Sequence, residues 1–142
     1  MTDALLVVDA NVAVKWYLPE EGEDAAAGVL RAGEQGEVRM LAPDLILPEV
    51  GNVLWIRHRR GDISRERVLS AWASFTEVDI SLSGSGRLMD SALDIALRTG
   101  CAVYDALYVA LAEVHETELV TADRKLVRTL EGTPFANSVV AL

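Results

Sequence analysis

A chain of 142 residues, 51% of them apolar and with a mean hydropathy of +0.22, has material for a real core. Residues 1–142 are therefore expected to form a single domain, and wholesale disorder is excluded. The net charge of −9 and pI near 4.6 argue against a nucleic-acid partner unless something neutralises the clustered acids.

The first element is LLVVD, a continuous aliphatic run that suits a buried strand in a parallel sheet covered on both faces. NVAVKWYL turns helical at once and is stopped by Pro19 and the acidic loop EEGE. A second amphipathic segment, EDAAAGVLRAGEQ, leads to a short strand near RMLA. PDLILPEVGNVLWIRHRRG is then a long helical stretch ending at Gly61, with Pro48 either opening the main helix or kinking it. Residues 64–78 predict another helix, with Val68, Leu69, Trp72 and Phe75 on one face. SLSGSG reads as a turn, and RLMDSALDIALRTG as a helix that stops at Gly100. A further helix begins near Asp105 in CAVYDALYVALAEVHETE. ELVTAD is a second strand ending in an acid, RKLVRTLEG a short helix, and NSVVAL a final edge strand.

No internal repeat, low-complexity block or dividing linker interrupts this order. Strands alternating with helices predict an α/β sandwich on a small, mostly parallel sheet flanked by helices. The longest apolar runs fall far short of a membrane span, and Asp3 and Asp9 interrupt a signal-peptide pattern. The expectation is a cytoplasmic protein with no membrane partner. Cys101, the only cysteine, fits a reducing compartment, and His58 and His115 are too isolated in sequence for a zinc site.

Asp9 and Asp123 both follow strands directly, where binding sites form in open parallel sheets. Glu49 and Asp105 fall near helix starts, whose free amides make an ionised carboxylate less costly. Taken singly, each of the four has a plain structural role as a cap or a helix-dipole acid, worth about 0.5–2 kcal/mol for a cap. Asp44 and Asp62 read as caps or turn residues. Taken together, Asp9, Glu49, Asp105 and Asp123 form a candidate carboxylate cluster, which repels itself unless a cation intervenes. A hard divalent ion such as Mg²⁺ suits carboxylate and water oxygens and leaves room for a phosphate.

The chemistry that follows is metal-assisted hydrolysis of a phosphodiester. Asp9 and Asp123 are the first-choice ligands, with Asp105 completing the set directly or through water. Glu49 either ligates or orients the attacking water. Asn11 and Thr121 are suited to hold Asp9 and Asp123 by hydrogen bonds, although a cap and a strand residue are the simpler readings.

The pieces VVDANVAVKWYLPE, PEVGNVLW, YDALYVALAE and LVTADRKLV, in that order and spanning nearly the whole chain, resemble the PIN-domain family, specifically the VapC-like toxins of type II toxin–antitoxin systems. The resemblance implies an α/β/α sandwich with Asp9, Glu49, Asp105 and Asp123 as the acidic site. It also implies Mg²⁺- or Mn²⁺-dependent endoribonuclease activity on RNA, a homodimer, and inhibition by a small cognate antitoxin. Lys125 stands where some relatives carry a fifth acid. Five of the thirteen Lys and Arg residues lie within residues 57–67. That cluster is either a solvated helix end or, as the resemblance suggests, an RNA-contacting rim through Arg57, Arg59 and Arg60.

Trp16, Trp55 and Trp72, at helical spacing among aliphatic residues, are expected in the core rather than stacked on bases. Two other functions compete. Asp9 could be the nucleophile of a haloacid-dehalogenase-like phosphatase, although Asn11 replaces the second acid that chemistry needs. The acids could also be caps on a non-catalytic protein-interaction module.

Overall fold

A computed structural model describes residues 4–18 and 21–142, so Pro19 and Glu20, at the expected stop of the first helix, lie outside the described residues. Among the described residues one sheet holds five strands: β1 (Leu5–Val8), β2 (Arg39–Pro43), β3 (Ile80–Ser83), β4 (Leu119–Thr121) and β5 (Val139–Ala141). Their order is β3-β2-β1-β4-β5 and every pairing is parallel. Seven α-helices surround it: α1 (Ala10–Ala13), α2 (Glu23–Glu34), α3 (Ile46–Arg59), α4 (Arg65–Thr76), α5 (Ser85–Thr99), α6 (Val103–Val114) and α7 (Arg124–Leu130). A 3₁₀ turn, Val14–Trp16, extends α1. The expected α/β sandwich is the observed one.

Alternation along the central strands builds the two faces. Val7, Leu41 and Leu119 enter the larger core with α3 and α6, whereas Val8, Met40 and Val120 meet Ala26, Val29 and Leu30 of α2 on the opposite side. Residues 106–112 of α6 are all buried, as expected of a helix that is apolar all round. Gly61 and Gly100 end α3 and α5 with φ of +81° and +82°, a left-handed turn that any Cβ would oppose. Pro48 is the third residue of α3, where its missing amide hydrogen breaks no helical bond, so it opens the helix.

Several expectations are corrected. SLSGSG is not simply a turn: Ile80–Ser83 pairs with β2 in register from Met40↔Ile80 to Pro43↔Ser83. It is an edge strand, and pairing to a buried neighbour overrides its Ser-rich composition. Helix α5 starts at Ser85, whose amide donates to Asp44 Oδ1 at 3.1 Å. Helix α6 starts at Val103, so Asp105 is its third residue and not its cap. Trp55 and Leu69 are 53% and 54% exposed rather than core residues. They line a shallow groove between α3 and α4 with His58, Arg65 and Val68. Trp16 and Trp72 do pack, half-buried, against the core.

The chain lays down β1, β2 and β3 in one direction and then returns to the other side of β1 for β4 and β5. The reversal falls between β1 and β4, and in such sheets a crevice opens there at the carboxyl ends of the strands. Among the described residues no single helix is long and apolar enough to cross a membrane.

Candidate active site

A cleft of about 430 Å³ opens at that reversal, and Asp9, Glu49, Asp105 and Asp123 all line it. Four different elements deliver them. Asp9 directly follows β1, Glu49 lies in the first turn of α3, Asp105 in the first turn of α6, and Asp123 caps α7. The rest of the wall comes from Ala10, Asn11, Val14, Lys15, Asn52, Val53 and Ala122.

Asp9 occupies the N-cap position of α1 with extended backbone, but its side chain makes no capping bond. Its Oδ2 instead accepts from the Thr121 hydroxyl at 2.8 Å and from Asn11 Nδ2 at 3.3 Å. The same Thr121 hydroxyl accepts the Asp123 amide at 3.0 Å, and Asn11 Oδ1 accepts the Ala122 amide at 2.9 Å. A closed set of bonds therefore stitches the end of β1 to the end of β4. Asn11 and Thr121 are engaged with Asp9, beyond the plain roles of helix cap and strand residue.

Asp123 does cap its helix, with Oδ1 accepting from the amides of Lys125 at 3.0 Å and Leu126 at 3.2 Å. Glu49 Oε1 accepts from the Tyr108 hydroxyl at 2.6 Å, and Tyr108 is itself fully buried.

The electrostatics follow from burial and crowding. Asp9 is 6% exposed, and burial first, with repulsion from Glu49 and Asp105, raises its carboxyl to about 7 despite the bond from Thr121. Burial also raises Glu49, opposed by the Tyr108 bond and reinforced by Asp105. Asp105 is raised by burial and by Asp123, while the Lys125 charge works against the shift. Protonation at neutral pH and hydration are two ways to relieve such crowding; a bound cation is a third.

Among the described residues, no three His, Cys, Asp or Glu side chains already converge on one point to enclose an ion. The four acids stand around the cleft, each of Asp9, Glu49 and Asp123 held by hydrogen bonds. An all-oxygen donor set around a hydrated space fits a hard cation that keeps part of its water shell.

Arg57, Arg59 and Arg60 are not brought to this cleft. They lie at the far end of α3, about 12 Å or more along the helix axis from Glu49. Arg57 pairs with Asp62 at 3.1 Å, and the Arg59 guanidinium lies 5.2 Å from the Trp55 ring centre. Sequence reasoning passed over Tyr108, Asn52 and Lys15. Tyr108 and Asn52 each lie three residues after a candidate acid, the spacing that shares a helix face. Lys15 interrupts an otherwise apolar segment.

The PIN domain family model matches residues 6–131. This chain belongs to the PIN-domain family. It is 36% identical over 126 residues to Ribonuclease VapC3 of Pyrobaculum aerophilum, covering 85% of this chain and 91% of that one, which sets this PIN domain among the VapC ribonucleases. The crystal structure of PAE2754 from Pyrobaculum aerophilum is similar with a TM-score of 0.67 and 25% identity, covering 92% of this chain and 82% of the other. A toxin–antitoxin complex from Klebsiella pneumoniae shares the fold with a TM-score of 0.57 at 15% identity, covering 97% and 96% of the respective chains. The acid cleft lies at the carboxyl edge of this PIN-domain sheet.

Proposed function

We propose that this VapC-type PIN ribonuclease is a metal-dependent endonuclease that cuts RNA phosphodiester bonds through Asp9, Glu49, Asp105 and Asp123. The observation that carries the reading is the convergence of four acids from four elements on one cleft, with Asp9 buried at its floor. Mg²⁺, with Mn²⁺ as a substitute, fits the all-oxygen donors. When bound, such an ion would polarise the phosphate, lower the pKa of a coordinated water and offset charge on the leaving oxygen.

The residues of the chain do the positioning. Asp9, Asp105 and Asp123 would hold the ion, directly or through water. Thr121 and Asn11 fix the Asp9 carboxylate on Oδ2. Tyr108 fixes Glu49 on Oε1, so that the remaining oxygen can ligate or accept a proton from the attacking water. Asn11 is committed as donor to Asp9 and acceptor from Ala122, and an amide cannot shuttle the proton that the phosphatase mechanism requires.

The physiological reading is a cytoplasmic toxin of a type II pair, a homodimer neutralised by a small antitoxin. Its support is membership of the VapC group.

Total RNA incubated with the protein and Mg²⁺, followed by end mapping, tests the activity. Discrete cuts are expected from the wild type, and none from Asp9→Asn or in the presence of chelator. Cleavage that persists in both controls would overturn the mechanism. Mn²⁺ should also raise the melting temperature by mass action. A non-catalytic interaction module would show neither cuts nor a metal-dependent shift.

A further inference from the structure

A second cleft, of about 500 Å³, adjoins the acid cleft. Its walls are Lys15, Glu21, Gly22, Thr121, Ala122, Arg124, Ala141 and Leu142, so Lys15 and Ala122 face both spaces. The two clefts lie side by side along the carboxyl edge of the sheet, one towards α3 and α6, the other between β4, β5 and the start of α2.

The sign of the charge reverses between them. Among the side chains of the described residues, four acids and one lysine line the first cleft, whereas Lys15, Arg124 and one acid, the exposed Glu21, line the second. Lys15 is anchored at the boundary, with its ammonium donating to the Glu21 carbonyl at 2.7 Å. Arg124 follows Asp123 directly and is exposed, leaving its side chain accessible to a ligand.

A phosphate at the acid cleft belongs to a polymer, and the phosphates on either side of it carry further negative charge. Four carboxylates repel those neighbours, and a cation bound among the acids is too local to compensate along the strand. A strand leaving the acid cleft across Lys15 and Ala122 meets two basic side chains at once. Clefts of this size suit single nucleotides of a flexible strand rather than a duplex.

We propose that the second cleft is a subsite for single-stranded RNA, in which Lys15 and Arg124 bind the phosphate next to the scissile one. The proposal rests on the ribonuclease reading above, and its contacts are to phosphate, so they set register and affinity rather than base sequence.

The test uses a fluorescently labelled single-stranded RNA spanning a mapped cut, and two shortened forms that end near the cut on the 5′ or the 3′ side. Cleavage and binding are measured separately on wild type, Arg124→Gln and the charge-keeping Arg124→Lys. Arg124→Gln should raise KM several-fold with kcat nearly unchanged. It should also reduce the slope of log affinity against log salt by roughly 0.7, one phosphate contact on a single strand. Arg124→Lys, which keeps the charge, should recover most of the salt slope lost in Arg124→Gln. The Arg124→Gln penalty should vanish with one shortened form and persist with the other. Unchanged affinity and salt slope in Arg124→Gln, or an equal penalty on all three RNAs, would overturn the subsite. The same Arg124 dependence with cleavage that Asp9→Asn and chelator leave unchanged would overturn the four-acid reading and leave the subsite standing.

Discussion

The two ends of α3 (Ile46–Arg59) carry opposite charges under opposite conditions. At its start, Glu49 is half-buried and held at 2.6 Å by a hydroxyl with no access to solvent. At its end, Arg59 and Arg60 are exposed, and Arg59 lies against the exposed ring of Trp55. A group that must meet a reacting atom needs its geometry fixed by buried partners. A group that attracts a polyanion needs only to present charge. Under the proposed mechanism the first end of the helix would do chemistry and the second would at most steer.

Substitutions test that division. The largest effect is expected at the fixed acids: Asp9→Asn should lower the RNA cleavage rate by about a hundredfold or more, read by single-turnover assay. Next comes Thr121→Val, which removes the hydroxyl shared by Asp9 and the Asp123 amide. Outer-sphere losses of this kind cost about 10–100-fold in metal affinity, measurable by Mn²⁺ titration, and the orphaned amide should cost about 1–3 kcal/mol of stability. Tyr108→Phe should reduce kcat by about tenfold, the low end of the roughly 1.5–3 kcal/mol of a hydrogen bond to a charged group, with little change in fold by circular dichroism. Arg59→Ala and Arg60→Ala should each change stability by no more than about 0.5 kcal/mol. Their effect on RNA binding should fade as salt rises; a kcat loss matching Tyr108→Phe would erase the distinction between the two ends.

Stability against pH offers a further check on the buried end. The folded protein holds the Asp9 proton up to about 7, whereas an ordinary aspartate releases it near 3.8. Unfolding therefore releases a proton within that window, and the metal-free protein should lose stability as pH rises from about 4 to about 7. Asp9→Asn should flatten this slope and raise the melting temperature at neutral pH without metal. A slope that survives the substitution would assign the effect to another group.

Much of this was legible in the chain itself. Aliphatic runs ending in acids marked β1 and β4, and left-handed glycines marked the ends of α3 and α5, because burial and backbone sterics act locally. The strand Ile80–Ser83 was hidden because its Ser-rich composition resembles a turn, and only pairing with β2 makes it a strand. The four acids stood out as residues at element boundaries. The Glu49 clamp did not, since Tyr108 lies 59 residues away and looks like one more core aromatic. Arg57, Arg59 and Arg60 formed a conspicuous run, but the length of α3 carries them away from the cleft. Trp55 and Leu69 follow helical spacing yet face outward, because the groove between α3 and α4 remains open on that side.

The bond from Thr121 to Asp9 spans 112 residues and joins β1 to the end of β4, the fourth strand made. A chain emerging from the ribosome can form β1 and β2 early, but it has no partner for the other side of β1 until β4 has been synthesised. Until then the hydroxyl that orients Asp9 and the carboxylate of Asp123 are both missing from the cleft. For an enzyme that attacks RNA, this wiring withholds a complete acid site until β4 and the cap of α7 have been made, so the proposed chemistry waits on the strand that closes the second side of β1.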